Sequence, residues 1–350
     1  MAIFKAFGNN PRGVELEKIK SSANYRDDVF QNLSPTESLV KGASFMKIMW
    51  RFFNKPKNTM PPKSLPSINT DLHALANDKP VVVWFGHSSY FLRINGMNVL
   101  VDPVFSGYAS PFSFTGKSFK GTDTYGVNDF PDIDLLILTH DHYDHLDYNT
   151  VRKLDPKTRN ICTSAGVGSH LRYWGIDASK ITELDWWETK QITVGTNHIE
   201  LIAAPARHFS GRSFTRNKTL WSSFVLTSGN YRIYIGADSG YDSHFKTIGD
   251  KYGPFDIAML ECGQYNEWWP YIHMMPEETV QAAVDLKAAV LMPVHWGKFA
   301  LGLHPWDEPV KRAVARARDL NVTIATPMIG EPVVVGGSLP QQHWWMGLEN

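Results

Sequence analysis

The chain has 350 residues, 43% of them hydrophobic and 20% charged, which is enough for a large buried core and too apolar for a disordered protein. Lys plus Arg equals Asp plus Glu at 35 each, so no net field draws a polyanion, and no nucleic-acid partner is expected. The two cysteines, Cys162 and Cys262, form no CxxC, which excludes a disulfide framework and a thiolate metal site and fits a reducing compartment.

Met1 to Asn10 carries no cleavable signal and no run approaches the roughly 18 apolar residues that span a bilayer, so a cytoplasmic location is expected. Residues 1–70 read as a leader packing on or near the core, broken by Pro56, Pro61, Pro62 and Pro66; residues 71–350 read as the catalytic domain. Within the leader, the aromatic stretch 45–53 carries Lys47 and Arg51. It suits a helix docked on the core and, alternatively, peripheral contact with a membrane surface.

Short apolar runs at 81–85, 90–94 and 97–101, with Asn95-Gly96 as a hairpin signal, predict a strand meander. The run 134–138 lacks polar alternation after Asp134, as a strand buried on both faces requires, and similar runs recur at 199–203, 224–226, 233–235, 257–260 and 290–292. Helices are expected from Pro276-Glu277-Glu278, with proline and acids in the first turn, and over 308–320. The alternation predicts an α/β fold in which two sheets stack and helices cover them outside. No internal repeat is present.

His140-Asp141-His142-Tyr143-Asp144-His145 follows directly on the 134–138 strand. His140 and His142, two apart on an extended backbone, point the same way, and Asp144 and His145 follow on the turn, so four groups able to bind a borderline metal converge at a strand's carboxyl end. A metal pair needs further partners. His208, Asp238 and His295 each follow another apolar run and supply them.

HxHxDH, a lone histidine, a Gly-Ala-Asp aspartate and a final histidine resemble the metallo-β-lactamase superfamily over about residues 80–335. The resemblance implies a four-layer αβ/βα sandwich and a dinuclear centre of two zinc ions, with iron or manganese as other loads. His140, His142 and His208 would hold one metal, Asp144, His145 and His295 the other, and Asp238 would bridge them. Trp84-Phe85-Gly86-His87-Ser88-Ser89, the run 101–106, Glu183-Leu184-Asp185-Trp186-Trp187-Glu188 and His295-Trp296-Gly297-Lys298 narrow it to the N-acylphosphatidylethanolamine-hydrolysing phospholipase D branch. Glu261 and Cys262 stand where those enzymes carry small or apolar residues.

The implied activity is hydrolysis of a phosphodiester in an amphipathic phospholipid by a hydroxide held between the two metals. The alternative on the same centre is a lactonase or another ester or amide hydrolase; a non-catalytic metal-binding protein is the remote one. Asp144, Asp238 and His273 are the expected catalytic residues, His273 as the group that contacts substrate or protonates the leaving group. Asp102 reads either as a carboxylate orienting the HxHxDH loop or as a turn cap before Pro103. His87, Tyr265 and His304 are candidates for lining the site, and Trp186, Trp187, Trp268, Trp269, Tyr271 and Trp296 for walling an acyl pocket or packing the core. Oligomeric state has no signature in the chain.

Overall fold

Each strand near the centre of the molecule is apolar on both sides because each lies between two layers. The computed structural model describes residues 5–212 and 215–348; positions 1–4 of the leader, and 213–214 and 349–350 of the domain that follows it, lie outside the described residues. A seven-stranded sheet has the order β15-β3-β4-β5-β6-β7-β8 and a six-stranded sheet the order β14-β13-β12-β11-β10-β9. The first is built from β3 (Val81–Trp84), β4 (Tyr90–Ile94), β5 (Met97–Val101), β6 (Ile133–Leu138), β7 (Thr158–Ser164), β8 (Ile181–Leu184) and β15 (Pro332–Val334). The second contains β9 (Thr189–Val194), β10 (Asn197–Pro205), β11 (Ser222–Ser228), β12 (Tyr231–Ile235), β13 (Ile257–Glu261) and β14 (Leu291–Val294). Pairing is parallel from β5 to β8 and from β12 to β14, and antiparallel elsewhere in both sheets.

Side chains alternate across each sheet. Val82, Trp84, Leu135 and Ile137 meet Ile233, Ile235, Ile257 and Met259 of the opposite sheet in one central core. Their neighbours Val81, Val83, Leu136 and Leu138 face outward against α3 (Tyr148–Leu154) and α4 (Gly168–Tyr173) through Val151, Leu154 and Leu171. On the far side Tyr234, Ala258 and Leu260 pack against α5 (His244–Tyr252), α6 (Pro276–Asp285) and α7 (Glu308–Asp319). The result is the four-layer helix-sheet-sheet-helix sandwich expected from the runs. Pro276 begins α6 and Glu278 accepts from the Met275 N–H at 2.9 Å, which caps the helix as its first-turn acids suggest.

The leader is tied into this body. It contains α1 (Val14–Lys20), a short hairpin of β1 (Tyr25–Arg26) and β2 (Val29–Phe30), and α2 (Phe45–Phe53). Ile19, Tyr25 and Phe30 form a separate cluster with Trp186, Leu220 and Trp221. Trp186 donates its indole N–H to the Trp221 carbonyl at 2.8 Å, and Glu183 accepts from the Gly166 and Gly168 amides while pairing with Arg172. The ELDWWE motif thus clamps the leader. Ile48 and Phe52 of α2 pack on Trp269 and Ile272. Among the described residues no helix is long and apolar enough to cross a membrane.

Candidate metal centre

The loops that leave the carboxyl ends of β3, β5, β6, β10, β12 and β14 meet at one edge of the sandwich, carrying His87, Asp102, His140 to His145, His208, Asp238 and His295. Two clusters of donor atoms form there, each within 4.8 Å: His140, His142, His208 and Asp238 in one, His87, Asp144, His145 and His295 in the other. Asp238 also lies between them, its Oδ2 3.2 Å from His145 Nε2 and 3.8 Å from His140 Nε2. All seven expected ligands are therefore brought together, and His87 joins them.

The backbone is strained where the site is built. His87, Asp102, Ala237 and His295 have φ values of 53°, 40°, 53° and 66°, a left-handed conformation that non-glycine residues rarely adopt. Reciprocal bonds from the His295 amide to the His87 carbonyl at 2.9 Å and from the His87 amide to the Trp296 carbonyl at 2.8 Å hold two of these turns together and so join the sheets.

Hydrogen bonds on the outward nitrogens set the tautomers. His208 donates Nδ1–H to the Ile272 carbonyl at 2.7 Å. His145 Nδ1 lies 2.8 Å from Asp102 Oδ2, and the same oxygen accepts from Thr139 Oγ1, which in turn faces His140 Nδ1 at 3.0 Å. One carboxylate therefore contacts a histidine in each cluster, directly or through Thr139, an arrangement that would orient both rings. Asp141 turns away and receives the Gly211 amide and the Thr219 hydroxyl.

Those tautomers point lone pairs at one another. His142 Nδ1 lies 2.9 Å from His140 Nε2 and 3.2 Å from His208 Nε2, so a single proton satisfies at most one of the two contacts. His145 Nε2 and His295 Nε2 are buried with no hydrogen-bond partner. A buried nitrogen without a partner and rings with too few protons for their contacts are costly, and a cation at each cluster would relieve both, so the residues fit a pair of metal ions. Burial pushes His140, His208 and His295 well below the ordinary imidazole value and His142 down to about 4, which keeps the rings in the neutral, ligating form. Burial also opposes charge on His145, but Asp238, Asp144 and Asp102 outweigh it and raise that ring. Burial pushes Asp238 up to about 6 against the pull of His145. Asp144 is held below the usual carboxylate range because His145 and His87 outweigh its desolvation.

His87 Nε2 lies 2.9 Å from Asp144 Oδ2. His273 reaches the same edge and forms a third group with Asp238, His295 and Glu261; its Nδ1 lies 2.8 Å from Glu261 Oε2. Glu261 is fully buried, and its other oxygen accepts the amides of Ser239 and Met274 at 3.0 and 3.2 Å. The signal for it was available in the chain, an acid ending a buried strand just as Asp238 and His295 follow theirs.

A cavity of about 480 Å³ opens above the clusters. His142, Asp144, His208, Asp238, His273 and His295 line its floor, and Leu39, Ile48, Phe52, Phe209, Trp269 and Leu301 its apolar wall, with Arg216 at the side. Three residues expected to line the site, His87, Tyr265 and His304, are absent from its walls, His87 lying instead against Asp144 Oδ2. Tyr265 and His304 stack on each other 4.2 Å apart, and Tyr265 is drawn off by Glu308 of α7 and covered by Arg312. Trp186 serves the leader clamp, while Trp296 is packed with Trp84 and Trp344 in the central core.

The family model described as Beta-lactamase superfamily domain matches residues 97–296. An uncharacterized protein of Mycobacterium tuberculosis is 39% identical over 331 residues, covering 93% of this chain and 88% of that protein. N-acyl-phosphatidylethanolamine-hydrolyzing phospholipase D 1 of Caenorhabditis elegans is 31% identical over 264 residues, covering 71% of this chain and 74% of that enzyme. A metallo hydrolase from the archaeon Ignicoccus hospitalis shares the fold, with a TM-score of 0.56 at 18% identity over 73% of this chain and 97% of that one. The chain belongs to the metallo-β-lactamase superfamily as a metal-dependent hydrolase, near the N-acylphosphatidylethanolamine-hydrolysing phospholipase D branch.

Proposed function

We propose that the protein is a zinc-dependent phosphodiesterase of phospholipase D type acting on N-acylphosphatidylethanolamine-like lipids. The observation that carries this reading is the apolar wall of Leu39, Ile48, Phe52, Phe209, Trp269 and Leu301 directly above the donor clusters, which suits an acyl chain. A sugar-phosphate lactone would call for a small polar pocket with several cations, and among the described residues lining this cavity Arg216 is the one Lys or Arg. The similarity to the nematode phospholipase points the same way.

In this reading His140, His142 and His208 would hold one metal and Asp144, His145 and His295 the other, with the Asp238 carboxylate lying between the two clusters. Bound metals supply Lewis acidity, which lowers the pKa of water toward about 7 and neutralises a phosphodiester's charge. The imidazole-rich donor set suits zinc and also admits iron or manganese. Asp144, fixed by His87, faces the cavity and orients the attacking water. His273, held at Nδ1 by Glu261, presents Nε2 to the leaving oxygen. Arg216 pairs with the lipid phosphate as it enters. Water attacks phosphorus, the bond from phosphorus to the ethanolamine oxygen breaks, and that oxygen takes a proton, giving an N-acylethanolamine and a phosphatidic acid.

The test is mass-spectrometric detection of both products when zinc-loaded protein is incubated with N-acylphosphatidylethanolamine in detergent. Products should accumulate with time and enzyme. No turnover by protein shown to hold two metals would remove the lipid reading.

A further inference from the structure

A helix apolar on all sides belongs inside a protein, yet α2 is apolar on two faces and only one is covered. Ile48 and Phe52 turn inward and line the cavity. Met46, Met49, Trp50 and Phe53, spaced i, i+3, i+4 and i+7, form a second stripe along the outer face and are 81%, 38%, 65% and 81% exposed. Met60, just beyond, is 51% exposed. Large side chains grouped in this way mark a contact surface rather than scattered surface apolars.

The charge around the stripe says what it contacts. Between Glu37 and Asp71 the chain carries Lys41, Lys47, Arg51, Lys55, Lys57 and Lys63 and no Asp or Glu, in a protein whose total charge is zero. Lys41, Lys47, Arg51 and Lys57 are exposed, and Arg51 lies over the ring of Trp268. Glu267 is the exposed acid on the adjoining 266–271 loop. An apolar stripe flanked by cations, with Trp and Phe at its centre, complements an anionic bilayer, where the rings enter the acyl boundary and the cations meet lipid phosphates. A partner protein's acidic surface would not need four exposed large apolar side chains in one row.

We infer that the outer face of α2 docks the enzyme on an anionic membrane surface, so that a lipid leaving the bilayer passes along Ile48 and Phe52 to the metal clusters. The entry route rests on the phospholipase reading; the docking itself does not. Full-length protein should co-sediment with vesicles of phosphatidylcholine plus phosphatidylglycerol but not with phosphatidylcholine alone, and added salt should release it. The triple variant Met46→Ser, Trp50→Ala, Phe53→Ala should lose about tenfold or more of that binding, and Lys47→Glu with Arg51→Glu a comparable share, with Tm unchanged. Neither set touches the cavity or the clusters, so hydrolysis in detergent micelles should stay at the wild-type rate while hydrolysis in vesicles falls. Wild-type protein that ignores anionic vesicles, or a triple variant that still binds them fully, overturns the docking. A dimer in sedimentation velocity that the triple variant dissolves, without vesicle binding, assigns the stripe to a second copy and overturns it too. Vesicle binding without hydrolysis of any phospholipid would keep the docking and reject the substrate.

Discussion

Glu261 Oε2 sits 2.8 Å from Nδ1 of His273, a fully buried carboxyl group holding a ring that lines the cavity. Burial raises Glu261 well above the ordinary carboxylate value and lowers His273. With Glu261 kept protonated and donating to Nδ1, the neutral ring carries its hydrogen on Nε2, the nitrogen then able to donate to a leaving group. His273→Ala should slow hydrolysis of diesters with alkyl leaving groups by about 10² to 10⁴, the usual worth of a positioned proton donor. A p-nitrophenyl diester, whose leaving group needs no proton, should lose far less. Glu261→Gln should show the same leaving-group dependence in milder form. Equal losses on both substrates would mean that the pair only supports the loop.

Asp102 should act through the metals rather than the substrate. Asp102→Asn should weaken binding of the metal held by His145 by about 10- to 100-fold, because the Nδ1 partner that fixes the ring is lost. Titration against a chromophoric chelator measures this directly. The loss of activity should be recovered at high free metal.

Chelation with EDTA or dipicolinate should abolish activity, and zinc should restore it. Asp238→Ala should not be restored, since its carboxylate is the atom group common to the two clusters. Metal analysis by inductively coupled plasma should find about two ions per chain in the native protein and fewer in this variant. Full activity in Asp238→Ala would mean that the hydrolysis does not run on this centre and that the clusters bind metal without catalysing.

The metal-free chain should become less stable as pH falls from about 6.5 toward 4. Folding holds His142 down to about 4 and His244 down to about 3, and lowers His140, His208 and His295, all through burial. Below the unfolded value of about 6.5 the unfolded chain takes up protons that the folded one refuses, so each such ring costs on the order of 1.4 kcal/mol per pH unit. His145 works oppositely: its raised value adds stability that is full below about 6.5 and lost as pH climbs through the folded value. His145, with the raised Asp238 and Glu261, stands against eight lowered rings once His87, His273 and His304 are counted, so acid destabilisation dominates. Thermal melts of chelated protein across this range should show Tm falling with pH, and added zinc should raise Tm near neutrality. A flat profile would contradict the burial of neutral rings.

Strands were readable wherever both faces are buried. Residues 90–94 and 97–101 were bounded to the residue, because Asn95-Gly96 makes the turn unambiguous. β7, with the sequence TRNICTS, and β9, with TKQITV, were not seen, since polar side chains interrupt the first and the second is an edge strand with one exposed face. The hairpin at 25–30 was missed as well, its strands being two residues each. Metal donors were legible because each sits just past an apolar run. Their supports were not: Asp102 reaches His145 across 43 residues, and Asn32 reaches His208 across 176, distances at which no local pattern survives.

Asn32 grips His208 on both sides of its backbone, accepting its N–H at 3.1 Å and donating to its carbonyl at 2.8 Å, while also accepting from the Trp221 indole. The leader should therefore be coupled to metal occupancy. Filling the first cluster should steady His208 and through it Asn32, making the N-terminal segment harder for a protease to open, and cutting that segment away should loosen a donor far along the chain. Such linkage runs equally in both directions. Zinc and an intact leader should each protect the other, and shortened forms that begin at the first catalytic strand should bind metal poorly however completely they retain its donors.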